Sequence, residues 1–522
     1  MAPAASGVLD SAMVSVNTLK QLFGSPRGYS HFDEPKNSAT KAAEILSKED
    51  YVSRHGFYPF IHFVVKQRKI VKSETDKTSK VKEINIKVRQ LAYCSHVDRY
   101  IYSFYARKIN ARYNKWSSVN NLDNNIVAYR YSDRSNIFSK KNNITFAKNV
   151  FEFIHDHLPC KVLVSDFEKY FDTIDHLYLK TQLCKLLEVP RLPNDWYAIY
   201  KNITKYSFVD KDDIENYRKI RFGLLKEERG CPLLNREQFA EFRQGNFIQK
   251  NKKTYGIPQG SPISAVFSNI YLMEFDLAMK AYVSQWGGLY VRYCDDVIII
   301  LPERGEDEFP SFNQTTEFFK TWSSGARIPH LKYSQKKTKY YRFDTGGCAE
   351  ECLVEEKTCG TAKRSNKLDY LGFIYDGNVV QLRPKSVLKY YYRLYEKIGN
   401  SILTTGKSHN IYAIYSNKIY RNKNIILEEN EASEQRYIRL NKYLSYKFSR
   451  RKLHNFKIVK NKSGVQRIEL QGNYISYVRR IHNIFKHSNL KFVEKIQSRH
   501  IRKISNRLKH WVSETFVVIR SA

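Results

Sequence analysis

The sequence predicts an α+β protein, and three features of the chain predict it. Patterns typical of buried strands occur in "KVLVSDF" (161–167) and in "LYVRYCDDVIIIL" (289–301). Apolar spacing typical of helices occurs in "ITFAKNVFEFIHDHL" and in "ISAVFSNIYLMEFDLAMKAY". From about Lys385 onward the chain is basic, rich in Tyr and helical in character.

Further elements follow in chain order. A helical patch is expected near Ser38–Leu46, and the apolar spacing of 85–116 also favours a helix. Residues 206–250 are charged and irregular, which indicates an insertion or a long connection. Ser261 suits a helix cap and Pro262 a first helical turn. The segment "KLDYLGFIYDGNVVQLRP" resembles strands.

Length and charge limit the classes of protein. The 522 residues are 42% hydrophobic, and 88 Lys and Arg stand against 52 acids, which gives +36. This excess indicates a polyanionic partner, most often nucleic acid. No run of about 18 apolar residues predicts a membrane span. The N-terminal stretch lacks the basic region of a signal peptide, so we expect a cytoplasmic protein.

Three of the eight cysteines lie close together in "CAEECLVEEKTC". They are Cys348, Cys352 and Cys359. Structural zinc sites usually have four ligands with tighter pair spacing, so a surface insertion is favoured over a zinc site. The sequence leaves open whether these thiols bind metal.

Two adjacent aspartates, Asp295 and Asp296, lie between two strand-like runs. Neither Asp nor the preceding Cys294 is the Gly or Asn-Gly that a tight hairpin prefers. One interpretation is a solvated turn, since turns often carry Asp. The other is a cation site, because carboxylates are the usual ligands of Mg²⁺.

A third aspartate, Asp166, ends the apolar strand 162–164 about 130 residues upstream. Alone it could be a helix or turn cap. If the two strands lie side by side, Asp166 and Asp295 converge. Two Mg²⁺ ions held between such carboxylates can stabilise the attacking and leaving oxygens of a phosphoryl transfer.

The order of these segments resembles the palm of a reverse transcriptase. The matching segments are "DFEKYFDTIDH" (motif A), "GIPQGSPISAVFSNIYLMEFD" (motif B), "RYCDDVIII" (motif C), "YSQKKTKYY" (motif D) and "LDYLGF" (motif E). Several motifs in the right order support one another. The resemblance covers about 85–385 and implies a right-hand polymerase: fingers, an antiparallel palm sheet with helices, and a helical, basic thumb and C-terminal region.

The resemblance also implies roles for matching positions. Asp166 and Asp295 would be the principal ligands of two Mg²⁺ ions, with Mn²⁺ as a substitute, and Asp296 the third carboxylate. The Phe167 carbonyl would help to hold the nucleotide-bound metal. Phe171 would act as a gate against a ribose 2′-hydroxyl, the alternative being an ordinary core Phe. Further nucleotide contacts are implied at Gln259, Gly260, Lys337, Lys87 and Arg89. For the last two, a solvated basic face is the alternative.

The expected domains follow from these matches. They are an N-terminal extension (1–84), fingers (85–160), a palm (161–384) with insertions at 206–250 and 342–366, and a thumb with an RNA-binding region (385–522).

Within the family, "RQLAYCSHVDRYIYSFYARKINARY" is similar to bacterial defence-associated and abortive-infection reverse transcriptases. This implies an RNA-directed DNA polymerase in antiviral defence that uses dNTPs and makes DNA, with a structured non-coding RNA as template or scaffold. Template-independent or protein-primed synthesis is an alternative, and a catalytically idle RNA-binding scaffold is another. The primer, the phage trigger and the oligomeric state, homo-oligomer included, stay open.

The C-terminal segment Asn441–Ala522 is the most basic part of the chain, with 20 Lys and Arg against three acids. In "SRHIRKISNRLKHWV" the apolar residues recur at helical spacing, which leaves basic residues on other faces. A general affinity for nucleic acid is the alternative to specific RNA binding. The candidate RNA contacts are Arg450, Arg451, Lys452, Arg499, Arg502, Lys503 and Lys509.

Overall fold

The computed structural model describes residues 14–25, 28–72, 82–130, 142–223, 231–303, 310–352, 367–392, 456–460, 466–470, 474–486 and 488–493. The chain divides into two compact units. The first comprises Met1–Lys140, Lys161–Tyr340 and Leu353–Thr358; the second comprises Lys141–Cys160, Tyr341–Cys352 and Cys359–Ala522.

Helices and strands alternate along the chain, which confirms the α+β prediction. The labelled helices are α1 (Val16–Phe23), α2 (Ser38–Leu46), α3 (Glu49–Arg54), α4 (His96–Val119), α5 (Asn143–Asp156), α6 (His176–Leu187), α7 (Asn194–Thr204), α8 (Lys211–Phe222), α9 (Arg236–Gln244), α10 (Ser264–Tyr271), α11 (Met273–Ser284), α12 (Phe312–Ser323) and α13 (Tyr474–Phe485). The strands are β1 (Phe60–Lys72), β2 (Lys82–Tyr93), β3 (Cys160–Asp166), β4 (Ser207–Asp210), β5 (Gln249–Lys250), β6 (Leu289–Tyr293), β7 (Asp296–Pro302), β8 (Lys339–Phe343), β9 (Ala349–Cys352), β10 (Leu368–Tyr370), β11 (Phe373–Tyr375), β12 (Val379–Leu382), β13 (Phe456–Lys460), β14 (Gln466–Leu470) and β15 (Lys491–Phe492).

One sheet of the first unit carries the predicted catalytic carboxylates. Its strand order is β6-β7-β3, and β8 begins on the other side of β3. The central strand β7 is almost wholly buried, as are Val162 and Leu163 of β3. Because both strands are apolar along their length, their polar residues concentrate at the strand ends.

A second sheet of the first unit has the order β2-β1-β4-β5. Strand β4 pairs in parallel with β1, with Ile61 opposite Val209. One face of this pair packs on an apolar cluster that includes Leu233, Leu234 and Phe242. In the described parts of this segment, 206–223 and 231–250, two strands extend the sheet and two helices accompany them, so the interpretation of these parts as irregular is wrong.

The second unit packs helices on a small sheet of order β10-β11-β12-β15. The Phe151 ring of α5 stacks on Tyr375 of β11, with ring centroids 4.9 Å apart. The Asn143 side-chain amide of α5 donates to the Tyr477 hydroxyl of α13 at 3.0 Å. A helix also covers 384–392.

Several predicted elements are confirmed and others are corrected. The helices near Ser38–Leu46 and within "ITFAKNVFEFIHDHL" are present as α2 and α5. Residues 85–93 belong to strand β2 rather than to a helix, and α4 begins only after the Ser95 cap, whose hydroxyl accepts from Asp98 N. Helix α10 begins at Ser264, so Ser261 and Pro262 precede it. Strands β13 to β15 lie in the region that we expected to be helical.

Within the described residues, no helix is both long and apolar enough to cross a membrane. The expected domain boundaries remain predictions.

Candidate active site

The two aspartates of the hairpin lie at a tight two-residue turn. Strands β6 and β7 are antiparallel, and Tyr293 pairs with Asp296. Cys294 and Asp295 are thus the central residues of the turn. Cys294 has φ 61°, a left-handed conformation in which Gly is the usual residue. A non-glycine residue there costs on the order of 1–3 kcal/mol, so surrounding contacts must hold it.

Arg292, on β6 beneath the turn, supplies such a contact. Its Nη1 donates to the Cys294 carbonyl at 3.1 Å and to Asn269 Oδ1 at 3.1 Å. Its Nε and Nη2 donate to both carboxylate oxygens of Asp276 at 2.7 and 2.6 Å. Tyr290 also donates to Asp276 Oδ1, at 2.6 Å. The turn therefore rests on a buried guanidinium whose partners come from α10 and α11.

The two members of this buried pair shift each other's pKa. Burial raises the pKa of the Asp276 carboxyl above its ordinary value, and Arg292 opposes part of that rise. Burial alone would lower the pKa of the Arg292 guanidinium, but the Asp276 carboxylate beside it raises that pKa well above its ordinary value. Both side chains are 0% exposed. The charge on Arg292 is therefore permanent, and Asp276 neutralises it.

Asp166 ends strand β3 next to the turn. The amide of Phe167 donates to the carbonyl of Asp295 at 3.2 Å, so the end of β3 is joined directly to the tip of the hairpin. On its other side, the Asp166 carbonyl accepts from Ser334 N at 2.7 Å. The structure thus brings the backbones of Asp166, Phe167 and Asp295 together, and Asp296 follows as the first residue of β7.

Lys337 approaches the same aspartate. It ends a short 3-10 helix, Gln335–Lys337, and its ammonium donates to Asp166 Oδ2. The Lys337 side chain is 51% exposed and that of Asp166 is 17% exposed. Among the residues that the structure describes, no three His, Cys, Asp or Glu side chains form a group that could hold a metal ion. In this arrangement Lys337 is a positively charged neighbour of Asp166.

Phe171 follows Asp166 by five residues in the chain. It belongs to the 3-10 helix Tyr170–Thr173 and is half-buried. Its carbonyl accepts from Ile257 N at 2.9 Å, which attaches this turn to the loop before α10.

Gln259 and Gly260 are exposed in that loop. The Gln259 carbonyl accepts from Ala92 N of β2 at 2.9 Å. Gly260 has φ 131°, and a Cβ atom there would lie 2.1 Å from the Ala92 carbonyl oxygen. Only glycine allows this close approach between the loop and β2.

A family model described as reverse transcriptase (RNA-dependent DNA polymerase) matches residues 82–375, more than half of the chain. The chain belongs to the reverse transcriptase family. The members of this family are nucleotidyltransferases, and the matched range contains the hairpin, the end of β3 and the loop before α10.

Solved telomerase structures match this reverse transcriptase at low identity. Apo telomerase from Candida tropicalis, truncated from its C-terminal domain, is 13% identical; the match covers 61% of this chain and 57% of that one, with a TM-score of 0.35. Telomerase from Candida albicans in complex with a TWJ fragment of telomeric RNA is 12% identical, with 66% and 51% covered and a TM-score of 0.31. The chain thus spans just over half the length of these proteins. No curated protein matches it.

The structure describes the side chains of only some of the other predicted contact residues. Arg89 is exposed on β2. The side chain of Lys87 lies outside the described part of the chain, as does Cys359. Cys348 is exposed and Cys352 buried, both as free thiols. The predicted RNA contacts that also fall outside the described residues are Arg450, Arg451, Lys452, Arg499, Arg502, Lys503 and Lys509.

Sequence reasoning missed the residues that support the turn, namely Arg292, Asp276 and Asn269. One signal was present: Arg292 and Asp276 each interrupt an apolar run, and buried charges are rarely found without a partner. Their pairing across 16 positions could not be read from either run alone.

Proposed function

We propose that this reverse transcriptase catalyses RNA-directed DNA synthesis, with Asp166, Asp295 and Asp296 as the ligands of two Mg²⁺ ions. The observation that carries the proposal is the 3.2 Å hydrogen bond from Phe167 N to the Asp295 carbonyl. It joins two chain segments about 130 residues apart at the positions where each presents an acid. The family match gives the reaction class that such acids serve.

The chemistry of these donors suits the proposed ions. Carboxylate and carbonyl oxygens are the hard ligands that Mg²⁺ takes, and Mn²⁺ accepts the same set. When bound, such ions lower the pKa of an attacking hydroxyl and neutralise the charge of the leaving pyrophosphate. The Phe167 carbonyl would complete the set beside Asp166.

The residues around the carboxylates would position the nucleotide. Lys337 already places an ammonium beside Asp166, and its exposed side chain can turn to phosphate oxygens once cations neutralise that acid. Phe171 would lie under the sugar and exclude a 2′-hydroxyl. The loop at Gln259 and Gly260, held against β2, would form the opposite wall.

The test is primer extension by the purified full-length chain with an RNA template, a DNA primer, dNTPs and Mg²⁺. We expect products whose sequence is complementary to the template. Products of random sequence, or equal synthesis without template, would instead support template-independent polymerisation. A nucleotide attached to a Tyr or Ser after protease digestion would indicate protein priming. Absence of incorporation with any template or primer would contradict the proposal.

We also propose a cytoplasmic role in bacterial antiviral defence with a dedicated structured RNA, which rests on the resemblance of the fingers sequence and on the basic segment 441–522. One RNA species should dominate the nucleic acid that copurifies, and Arg502→Ala with Lys503→Ala should reduce its recovery. A heterogeneous RNA mixture that these changes leave unaffected would contradict this part of the proposal.

A further inference from the structure

Tyr129 adopts a left-handed backbone conformation beside the hairpin turn. Its φ is 56°, close to the 61° of Cys294. This conformation is unfavourable for a residue with a bulky side chain, and it persists only where surrounding contacts hold it. Residues held in this way are concentrated at active sites and ligand-binding sites. The contacts around Tyr129 therefore bear on the function of the turn.

The backbone before Tyr129 is fastened to β6 and α10. Val127 N donates to the Arg292 carbonyl at 3.1 Å. Asn269 Nδ2 donates to the Ala128 carbonyl at 2.8 Å, and the same side chain accepts from the Arg292 guanidinium at 3.1 Å. The two side chains that support the hairpin turn thus also fix the residues before Tyr129.

The Tyr129 side chain lies against the turn. Its hydroxyl forms a hydrogen bond with the Cys294 thiol. Burial raises the pKa of this hydroxyl, and the neighbouring Cys294 and Asp295 raise it further, so it stays protonated at neutral pH. Cys294 is 4% exposed, whereas Tyr129 is 45% exposed. A molecule that approaches this edge of the turn from solvent therefore meets the Tyr129 ring and not the thiol.

The proposed chemistry at Asp295 says what would approach. In a two-metal site, one ion activates the attacking hydroxyl, which here is the 3′-hydroxyl of a primer. That hydroxyl belongs to the last nucleotide of the primer, so this nucleotide must lie directly at the turn. Bases present a flat face that packs on aromatic side chains whatever the sequence. An exposed ring beside Asp295 suits this nucleotide.

We propose that Tyr129 contacts the 3′-terminal nucleotide of the primer and aligns its hydroxyl for attack. The inference rests on the proposed polymerase function and adds a residue to it. The ring packs on the terminal nucleotide, and the hydrogen bond to Cys294 keeps the ring at the turn. Attack requires the reacting atoms to lie about 3–3.5 Å apart and in line. A ring that seats a paired end correctly therefore favours a matched end over a mismatched one.

The test is the addition of a single nucleotide by the full-length chain to a matched and to a mismatched primer end. Tyr129→Leu should slow addition to the matched end by on the order of 100-fold, the loss that a displacement of about 1 Å can cause. A mismatched end is already misaligned, so its addition should slow much less and the discrimination between the two ends should fall. The KM for the incoming dNTP should change little.

Three further variants serve as controls. Tyr129→Phe keeps the ring and should retain most of the matched rate and of the discrimination. Tyr129→Asn removes the ring but tolerates the left-handed backbone, and should therefore behave like Tyr129→Leu even if leucine destabilises the segment. Tyr197→Leu removes a tyrosine of α7 that is also 45% exposed, and should change neither rate.

Two kinetic results would overturn the contact. One is addition to the matched end at near wild-type rate in both Tyr129→Leu and Tyr129→Asn. The other is slowing of matched and mismatched ends by the same factor, which would indicate a purely structural role for Tyr129.

Photo-crosslinking tests the contact without synthesis. The probe is a primer–template duplex whose last primer base is 5-iodouracil, irradiated with the protein in the absence of dNTPs and divalent metal. The crosslink should map to Tyr129, and 5-iodouracil placed several nucleotides upstream should not crosslink there. Absence of a Tyr129 crosslink from the terminal base would overturn the contact. A Tyr129 crosslink without any primer extension would uphold the contact and contradict the proposed polymerase function, so the two failures are distinguishable.

Discussion

Two ion pairs flank the Asp295 hairpin, and they differ in burial. Arg292 and Asp276 lie beneath the turn and are both 0% exposed, whereas Lys337 and Asp166 lie beside it with side chains 51% and 17% exposed. The buried pair has two parallel hydrogen bonds and further partners in Asn269 and Tyr290. In the other pair, the side chains of both Lys337 and Asp166 are accessible to solvent.

The difference in burial implies a difference in role. Removing one member of a buried pair leaves an uncompensated charge, which costs about 3–5 kcal/mol. An exposed pair contributes about 0–1 kcal/mol, because water screens it. We infer that the buried pair fixes the shape of the hairpin, while Lys337 is a partner that Asp166 can exchange for a metal ion.

The largest expected effect is on catalysis. Asp166→Asn and Asp295→Asn should each reduce nucleotide incorporation to background, because each proposed ligand neutralises part of a dinuclear charge. Both variants should keep the wild-type circular dichroism spectrum and melting temperature within a few degrees. Incorporation by either variant at near wild-type rate would remove that residue from the proposed metal site.

The next effect is on stability. Arg292→Met should lower the free energy of unfolding by about 3–5 kcal/mol, since Asp276 would then be a buried charge without its counterion. The double variant Arg292→Met with Asp276→Leu should recover a large part of this loss, because no buried charge remains. Urea denaturation measures both. A loss of under 1 kcal/mol in the single variant would show that the two pairs do not differ as proposed.

A buried histidine, His31, should make the stability of the protein depend on pH. Burial lowers the pKa of His31 to about 3, from an ordinary value of 6.5. Between these values the unfolded chain binds the proton and the folded chain does not, so stability falls as the pH drops below 6.5. His31 alone should cost about 2 kcal/mol at pH 5. Burial raises the pKa of the nearby Asp33 to about 6, which opposes part of this loss.

The contribution of His31 can be isolated by His31→Gln. The loss of unfolding free energy between pH 7 and pH 5 should be about 2 kcal/mol smaller in this variant than in the wild type. An identical pH dependence in both proteins would show that His31 titrates normally in the folded chain.

The smallest effect on stability concerns Lys337. Lys337→Met should change the free energy of unfolding by less than about 1 kcal/mol, because the Lys337 side chain is 51% exposed and water screens its charge. It should also tighten Mn²⁺ binding, measured by electron paramagnetic resonance, since the lysine no longer competes for Asp166. Lys336→Met, the neighbouring lysine of the same turn, is the matched control and should change neither. Weaker metal binding in Lys337→Met would contradict the exchange.

The sequence predicts the candidate catalytic aspartates more readily than the residues that hold the hairpin turn in place. Asp166 and Asp295 each follow a recognisable apolar strand, and local patterns suffice to find both. The support for the turn depends on Arg292 meeting Asp276 across 16 positions and on a left-handed Cys294, which no local pattern specifies. The start of helix α4 did have a local signal. Ser95 is a common helix cap and Asp98 is an acid in the first turn, so together they could have indicated that the helix begins at His96.

The segment 206–250 shows the same limit for the fold. The two strands in its described parts are short, and each is stabilised by pairing with residues distant in the sequence, as Val209 is with Ile61. Its charged helices hide the apolar residues that pack beneath them, among them Ile214 and Phe242. Elements that depend on long-range pairing carry little periodic signal of their own.

The proposed joint metal site of Asp166 and Asp295 is tested most directly by iron-dependent cleavage of the polypeptide. With Fe²⁺ in place of Mg²⁺, ascorbate and peroxide, radicals form at the bound metal and cut the backbone nearby. The wild type should be cut near both Asp166 and Asp295, excess Mg²⁺ should suppress both cuts, and Asp295→Asn should lose both together. Cuts at neither position, or a cut near Asp166 that persists unchanged in Asp295→Asn, would contradict a shared metal site.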